Sequence, residues 1–254
     1  MLAWEYHEYP NTFPWNTKLW QQWLNIVSHL HWKASFEQIH YDNYTCHACK
    51  EAAIFDVKFT DNAIRDIERI KDRRGLAKID VALERFRLGN FGDVLPVGKG
   101  VSETRIHYGK CYRIYHFFAG IRLVIVAGIG TKHQQDKDIE NALLVKKFFG
   151  HWKNMKLTNI DDYQQAWMNS DPQRVADFIT EAFADNDPAT ALMALKSVAL
   201  NYEGGVKGLS RKVGISRQAI NAAFSEQGNP TISNFLVMLH ELGFDVHFTH
   251  KASE

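Results

Sequence analysis

The sequence predicts an α+β chain, in which an antiparallel sheet with packing helices is followed by an all-α part. Three observations predict it. Strand-like runs follow one another at 101–108, 112–118 and 121–127 with no helix between them, which favours an antiparallel meander over a doubly wound sheet. Two amphipathic helical patterns precede them. From Thr158 on, the apolar spacing is helical almost to the end.

Taken in order, residues 1–53 hold five of the seven Trp, too aromatic for a solvated tail. Helical spacing is plausible from Thr17 to His31. Cys46-His-Ala-Cys49 permits zinc, but a single Cys-x-x-Cys without a second ligand pair at standard spacing does not make a finger, so no metal or cofactor is expected. The segment is left unassigned.

Residues 54–150 read as a compact sheet unit. Ile54–Thr60 alternates like a strand, helices are expected at about 61–72 and 76–88 with a break at Gly75, and a Gly-rich loop spans 89–100. After the three strands, a last helix is expected at about 134–149. A junction at 151–156 leads to 157–254, where helices are expected at about 160–169, 172–184, 188–201, 207–213, 216–225 and 231–241, with a strand at 244–249. Asp171-Pro172 and Asp187-Pro188 place a capping side chain before a proline, a strong helix start.

Composition narrows the function. No apolar run reaches the roughly 18 residues of a membrane span, the N-terminus has no signal-peptide pattern, and three cysteines are too few for a disulfide framework, so a cytoplasmic chain without membrane partners is expected. Residues 54–150 carry 18 Lys+Arg against 12 Asp+Glu, while 156–254 carry 8 against 12. A basic unit beside an acidic one fits an anion-binding module with its own cover, although differing solvated faces produce the same split.

The strongest local pattern runs from Leu209 to Phe224. Leu209 and Val213 share one helix face, Gly214-Ile215 makes a tight turn, Ser216 caps the next helix, and Ile220 and Phe224 face inward. Arg217, Gln218 and Asn221 are left outward at the start of that helix, where a recognition helix offers hydrogen bonds to base edges, and Lys212 is placed for phosphate. The pattern reads as a helix-turn-helix, with a plain helical hairpin carrying a solvated polar face as the alternative. The region resembles the HigA-type antitoxins over essentially all of 156–254, including 157–163, 186–189 and 228–231. That resemblance implies binding to operator DNA as a homodimer.

In the sheet unit, a three-residue loop at Gly109–Cys111 would pair His107 with Arg113 and Arg105 with Tyr115. One face then carries Arg105, His107, Arg113 and Tyr115; the other carries Ile106, Tyr108, Tyr112 and Ile114. A basic, aromatic face suits backbone phosphates and stacked bases, and an exposed face of salt-bridged arginines is the plainer alternative. The motifs at 89–94, 96–98, 100–103, 105–109, 112–115 and 132–139 resemble the RelE/HigB-type addiction-module toxins over nearly all of 54–150. The resemblance implies a RelE-like sheet and a ribosome-dependent mRNA endonuclease. Carried over, Arg105 and Arg113 would stabilise the phosphorane, and Lys132 would do likewise or take a proton. His107 and His133 would serve acid–base steps, Tyr115 would stack a base, and Lys99 would reach the backbone.

The whole reads as a toxin–antitoxin fusion: an mRNA endonuclease neutralised by a fused antitoxin that also represses its operon. Thr131 and Ile129 depart from the toxin pattern, which keeps open the alternative of a DNA-binding repressor carrying a nuclease-dead toxin fold. Met155 stands where a second gene would start.

Overall fold

A computed structural model describes residues 55–149, 155–185 and 187–247, which all lie within one compact unit. The Trp-rich segment, the Cys-x-x-Cys, Ile54 and most of the junction lie outside the described residues.

Strand β1 (Asp56–Thr60) runs into helix α1 (Asp61–Glu68), whose N-cap is Thr60: its side chain accepts from the Ala63 amide. Helix α2 (Arg73–Arg87) is capped in the same way by Asp72, which accepts from the Gly75 amide. The helix break therefore falls at 69–72, and Gly75 sits inside the first turn of α2. The reason is steric. A Cβ on Gly75 would come within 2.4 Å of the Tyr112 ring and 2.6 Å of the Asp72 carboxylate. The Gly-rich stretch also differs from expectation, because Asp93–Gly98 forms strand β2. Lys99 and Gly100 both adopt positive φ (47° and 70°), the two-residue turn that matches strand twist, and they join β2 to β3 (Val101–Ile106).

Strands β4 (Tyr112–Phe118) and β5 (Leu123–Thr131) complete the expected meander, and a short 3-10 turn (Lys132–Gln134) leads into α3 (Gln135–Phe148). A three-residue strand, β6 (Leu157–Asn159), follows. The sheet has six strands in the order β2-β3-β4-β5-β1-β6, antiparallel except for the β1–β5 pair. The remaining helices are α4 (Ile160–Met168), α5 (Pro172–Ala184), α6 (Pro188–Asn201), α7 (Gly205–Val213), α8 (Arg217–Ala223) and α9 (Ile232–Glu241). All start and stop close to the expected positions. Residues 244–247 are not a strand, and 248–249 lie outside the described residues. Among the described residues no helix is long and apolar enough to cross a membrane.

Alternation along the strands splits the sheet into two faces. Tyr115, Phe117, Ile125 and Ala127 point to α3, where Ala142 and Val145 close a small core. Val57, Phe59, Ile114, Val124 and Val126 point to α1 and α2. That second core does not stop at residue 150. It continues through Tyr163, Trp167, Phe178 and Leu195 to Leu209, Ile220 and Phe224. Phe59 packs on Tyr163 with ring centroids 4.9 Å apart, and β6 adds to the edge of the sheet beside β1. The sheet unit and the helical part therefore share one apolar interior.

Polar groups line the seam between them. Asp80 of α2 is buried, accepts from the Tyr163 hydroxyl at 2.7 Å and from two nitrogens of Arg174 at 3.0 Å each. Glu84, also buried, takes Gln164 at 2.8 Å and Ser197 at 3.3 Å. Around this centre, Arg73, Arg74, Lys78 and Arg85 pair with Asp171, Asp177, Glu181 and Asp185. The opposite net charges of the two parts thus meet along α2. Exposed pairs of this kind stabilise by only about 0–1 kcal/mol each, so burial of the apolar interior dominates.

Candidate functional site

The β3–β4 connection decides which side chains converge. Ile106 pairs with Tyr112 and Arg105 with Arg113, so the loop is five residues, 107–111, rather than the three expected. Tyr108 leaves the ladder, and the cationic groups of Arg74 and Lys78 lie 5.4 and 5.5 Å from its ring centre. Every pair moves by two residues: Tyr115 faces Glu103 instead of Arg105. Because side chains alternate with a period of two, this even shift leaves Arg105, Arg113 and Tyr115 on the one face expected.

Two rows cross the sheet on that face. The first joins Asp93, Arg105, Arg113 and Gly130; the second joins Leu95, Glu103, Tyr115 and Gly128. Helix α3 covers the inner part of both. Arg113 is buried, donates to the Cys111 carbonyl at 2.9 Å, and its Nε lies 3.4 Å from buried Glu103, an ion pair rather than an aligned hydrogen bond. Gln135, in the first turn of α3, donates to the same carboxylate at 3.1 Å. Tyr115 is fully buried, and among the described residues its hydroxyl has no hydrogen-bond partner. A stacking role for Tyr115 is therefore corrected: α3 lies where a base would have to lie. Burial, reinforced by Asp138, pushes the Tyr115 hydroxyl far above the usual phenol range.

Asp138 reaches over Gly130, where a Cβ would come within 1.9 Å of its Oδ2. Burial, with Asp66 adding repulsion, lifts the Asp138 carboxyl to about 6. His116 is on the other face, wholly buried against Phe86 and Phe91. Burial lowers it to about 4, so it stays neutral at physiological pH.

The outer part of the face is open. Asp93 of β2 accepts from Arg105 Nη2 at 2.7 Å with one oxygen and from His107 Nε2 at 2.5 Å with the other. The two donors hold the Asp93 carboxyl below its usual range. Lys132 and His133 are exposed in the 3-10 turn that follows β5, whose last residue pairs with Tyr112. The sheet end therefore brings Arg105 and His107 together on Asp93 and continues β5 into exposed Lys132 and His133, while Arg113 stays buried beneath α3. Lys99 does not join them. It stands at the far tip of the β2–β3 hairpin, and the four steps from Val101 to Arg105 alone span about 13 Å at roughly 3.3 Å each. Asp93, Glu103, Gln135 and Asp138 were missed by sequence reasoning. The Lys99-Gly100 turn was only part of the signal: a plain two-residue hairpin places Asp93 opposite Ile106, and the irregularity between Pro96 and Gly98 moves it opposite Arg105.

The second cluster lies in the helical part. Gly214 takes φ 71° after α7, Ser216 accepts from the Ala219 amide at 3.1 Å, and Ser210 Oγ donates to the Ile215 carbonyl at 2.6 Å, locking the turn. Leu209, Ile220 and Phe224 are fully buried. Lys212, Ser216, Arg217, Gln218 and Asn221 are all exposed, and 217, 218 and 221 share one side of α8. Beside them an open depression of about 510 Å³ is lined by Tyr202, Glu203, Gly204, Gly208, Arg211 and Lys212.

A Haemophilus influenzae protein described as uncharacterized is 39% identical to this chain over 84 residues, which are 33% of the chain and 85% of that relative. No family model matches the chain, and no solved structure matches it.

Proposed function

We propose that this chain, which belongs to one family with the uncharacterized Haemophilus influenzae protein, is a toxin–antitoxin fusion with two nucleic-acid sites. In this reading α8 reads operator DNA in the major groove, and the open end of the sheet cleaves mRNA on the ribosome. One observation supports it above the others: the capped second helix of a tight two-helix turn presents Arg217, Gln218 and Asn221 to solvent while Ile220 and Phe224 anchor it.

The cleavage chemistry asks for little more than the sheet end holds. The 2′-O–H bond breaks as a base takes its proton, the 2′ oxygen bonds to phosphorus, and the P–O5′ bond breaks as an acid protonates the 5′ oxygen. His107 and His133 supply the proton exchange, and Arg105 with Lys132 supplies positive charge to the phosphorane. Helices α4 to α9 contribute to the core on the α2 side of the sheet, opposite the α3 side that carries Arg105 and Arg113. Within one chain residues 157–247 leave His107 exposed and Arg105 partly exposed, so in this reading the intact chain itself cleaves.

A repressor with an inactive toxin fold is the second reading, favoured by the burial of Arg113 and Tyr115 beneath α3. Anisotropy titration of the intact chain with DNA from its own upstream region tests the DNA arm. Gln218→Ala or Asn221→Ala is expected to weaken the preferred site by about 1–3 kcal/mol relative to scrambled DNA. Equal binding to both DNAs by the parent chain refutes that arm. Primer extension on ribosome-bound mRNA separates the two readings.

A further inference from the structure

We infer that Asp93 is the positioning residue of the ribonuclease site, bridging Arg105 and His107 and leaving His107 Nδ1 as the atom that exchanges a proton with RNA. The inference rests on the ribonuclease reading above for its catalytic meaning, and on geometry for the contact itself.

Asp93 stands opposite Arg105 in the β2–β3 ladder, and Arg105 stands opposite Arg113 in the next. The backbone thus sets the spacing of the carboxylate and both guanidinium groups. His107 lies just past the end of β3, where no ladder holds it, and its side chain is 70% exposed. What orients the ring is the Nε2–H donated to Asp93 Oδ2 at 2.5 Å. A carboxylate only accepts hydrogen bonds. It therefore selects the ring form protonated at Nε2, and in the neutral ring that leaves Nδ1 as the basic atom. The other oxygen of Asp93 is occupied by Arg105 at 2.7 Å, which stops the carboxylate from rotating away. One side chain on an edge strand thereby couples the orientation of the base to the position of a phosphorane-binding arginine.

In the reaction, Nδ1 takes the proton of the attacking 2′-OH as the oxygen bonds to phosphorus. The 5′ oxygen leaves with a proton from His133 or Lys132. The products are a 2′,3′-cyclic phosphate and a 5′-hydroxyl, with no redox partner required.

The test uses the intact chain and two readouts. Long-range ¹H–¹⁵N spectra report the ring tautomer of His107, assigned by its loss in His107→Gln, at a pH where the ring is neutral. Cleavage of ribosome-bound mRNA gives kcat and KM. The parent chain is expected to show the Nε2–H form. Asp93→Ala is expected to show a mixture of tautomers and a kcat lower by about ten- to a hundredfold with KM little changed, as loss of an orienting partner produces. Asp93→Glu, which keeps the carboxylate, is expected to recover the tautomer and most of the rate. A ring tautomer unmoved in Asp93→Ala overturns the inference, as does an undiminished kcat. A shifted tautomer in a chain whose parent cleaves nothing supports the contact and overturns the ribonuclease reading instead.

Discussion

Replacing Arg174 by Met tests whether the two sequence segments are bound by their buried ion pair. Arg174 donates to Asp80 through two nitrogens at 3.0 Å each and to the Tyr163 hydroxyl, and its guanidinium lies 4.4 Å from the Trp167 ring centre. Met retains much of the stem's packing but removes the charge. Asp80, which is 1% exposed, is left among the described residues with the Tyr163 hydroxyl alone. Stranding a buried charge in this way costs about 3–5 kcal/mol. Against a typical domain stability of about 5–15 kcal/mol, that is a large share. Urea unfolding of the intact chain, followed by tryptophan fluorescence, measures it. The double variant Asp80→Asn/Arg174→Met removes both charges and is expected to recover at least half of the loss, giving a coupling of roughly 2 kcal/mol or more. The pH sign is also determined. Burial works to raise the Asp80 carboxyl, and Arg174 is the chief influence opposing it. Without Arg174 the raised carboxyl makes the variant lose stability as pH rises, so its deficit shrinks in acid. A loss in Arg174→Met below about 1 kcal/mol, or simple additivity in the double variant, refutes the reasoning.

Gly75→Ala is expected to destabilise the chain despite the better helix propensity of Ala. The added Cβ meets the Tyr112 ring at 2.4 Å, and that ring is only 3% exposed and has nowhere to retreat. The overlap costs about 1–3 kcal/mol against a gain of at most about 1; an unchanged urea midpoint contradicts it. Asp138→Asn addresses pH. Between its ordinary 3.8 and about 6, the folded chain holds a proton on Asp138 that the unfolded chain releases, so the parent loses stability as pH rises through that window. The variant lacks this contribution, and parallel stability–pH curves for the two proteins argue against a buried, repelled carboxyl at 138.

The helical part was readable almost residue by residue, because its signals are local. Asp171 and Asp187 accept hydrogen bonds from amides two or three residues on, Ser216 does the same, and Gly214 takes the positive φ its turn needs. Such bonds close within one turn and need no knowledge of the rest of the chain. The faces of β3 and β4 were readable for a related reason: alternation survives any even shift of register, so Arg105 and Arg113 kept company although their pairing was misjudged. Tertiary structure decided the rest. The register followed from Tyr108 leaving the ladder beside Arg74 and Lys78, residues more than 25 positions away. Asp93 became a partner of His107 only because 93–98 pairs as an edge strand, and Tyr115 was lost to a base because α3 folds back over it. The single interior joining 55–149 to 157–247 depended on β6 adding beside β1 and on α2 meeting α5 and α6. Each of these rests on contacts between distant positions, whose free energy comes from area buried in common, and no local pattern encodes that.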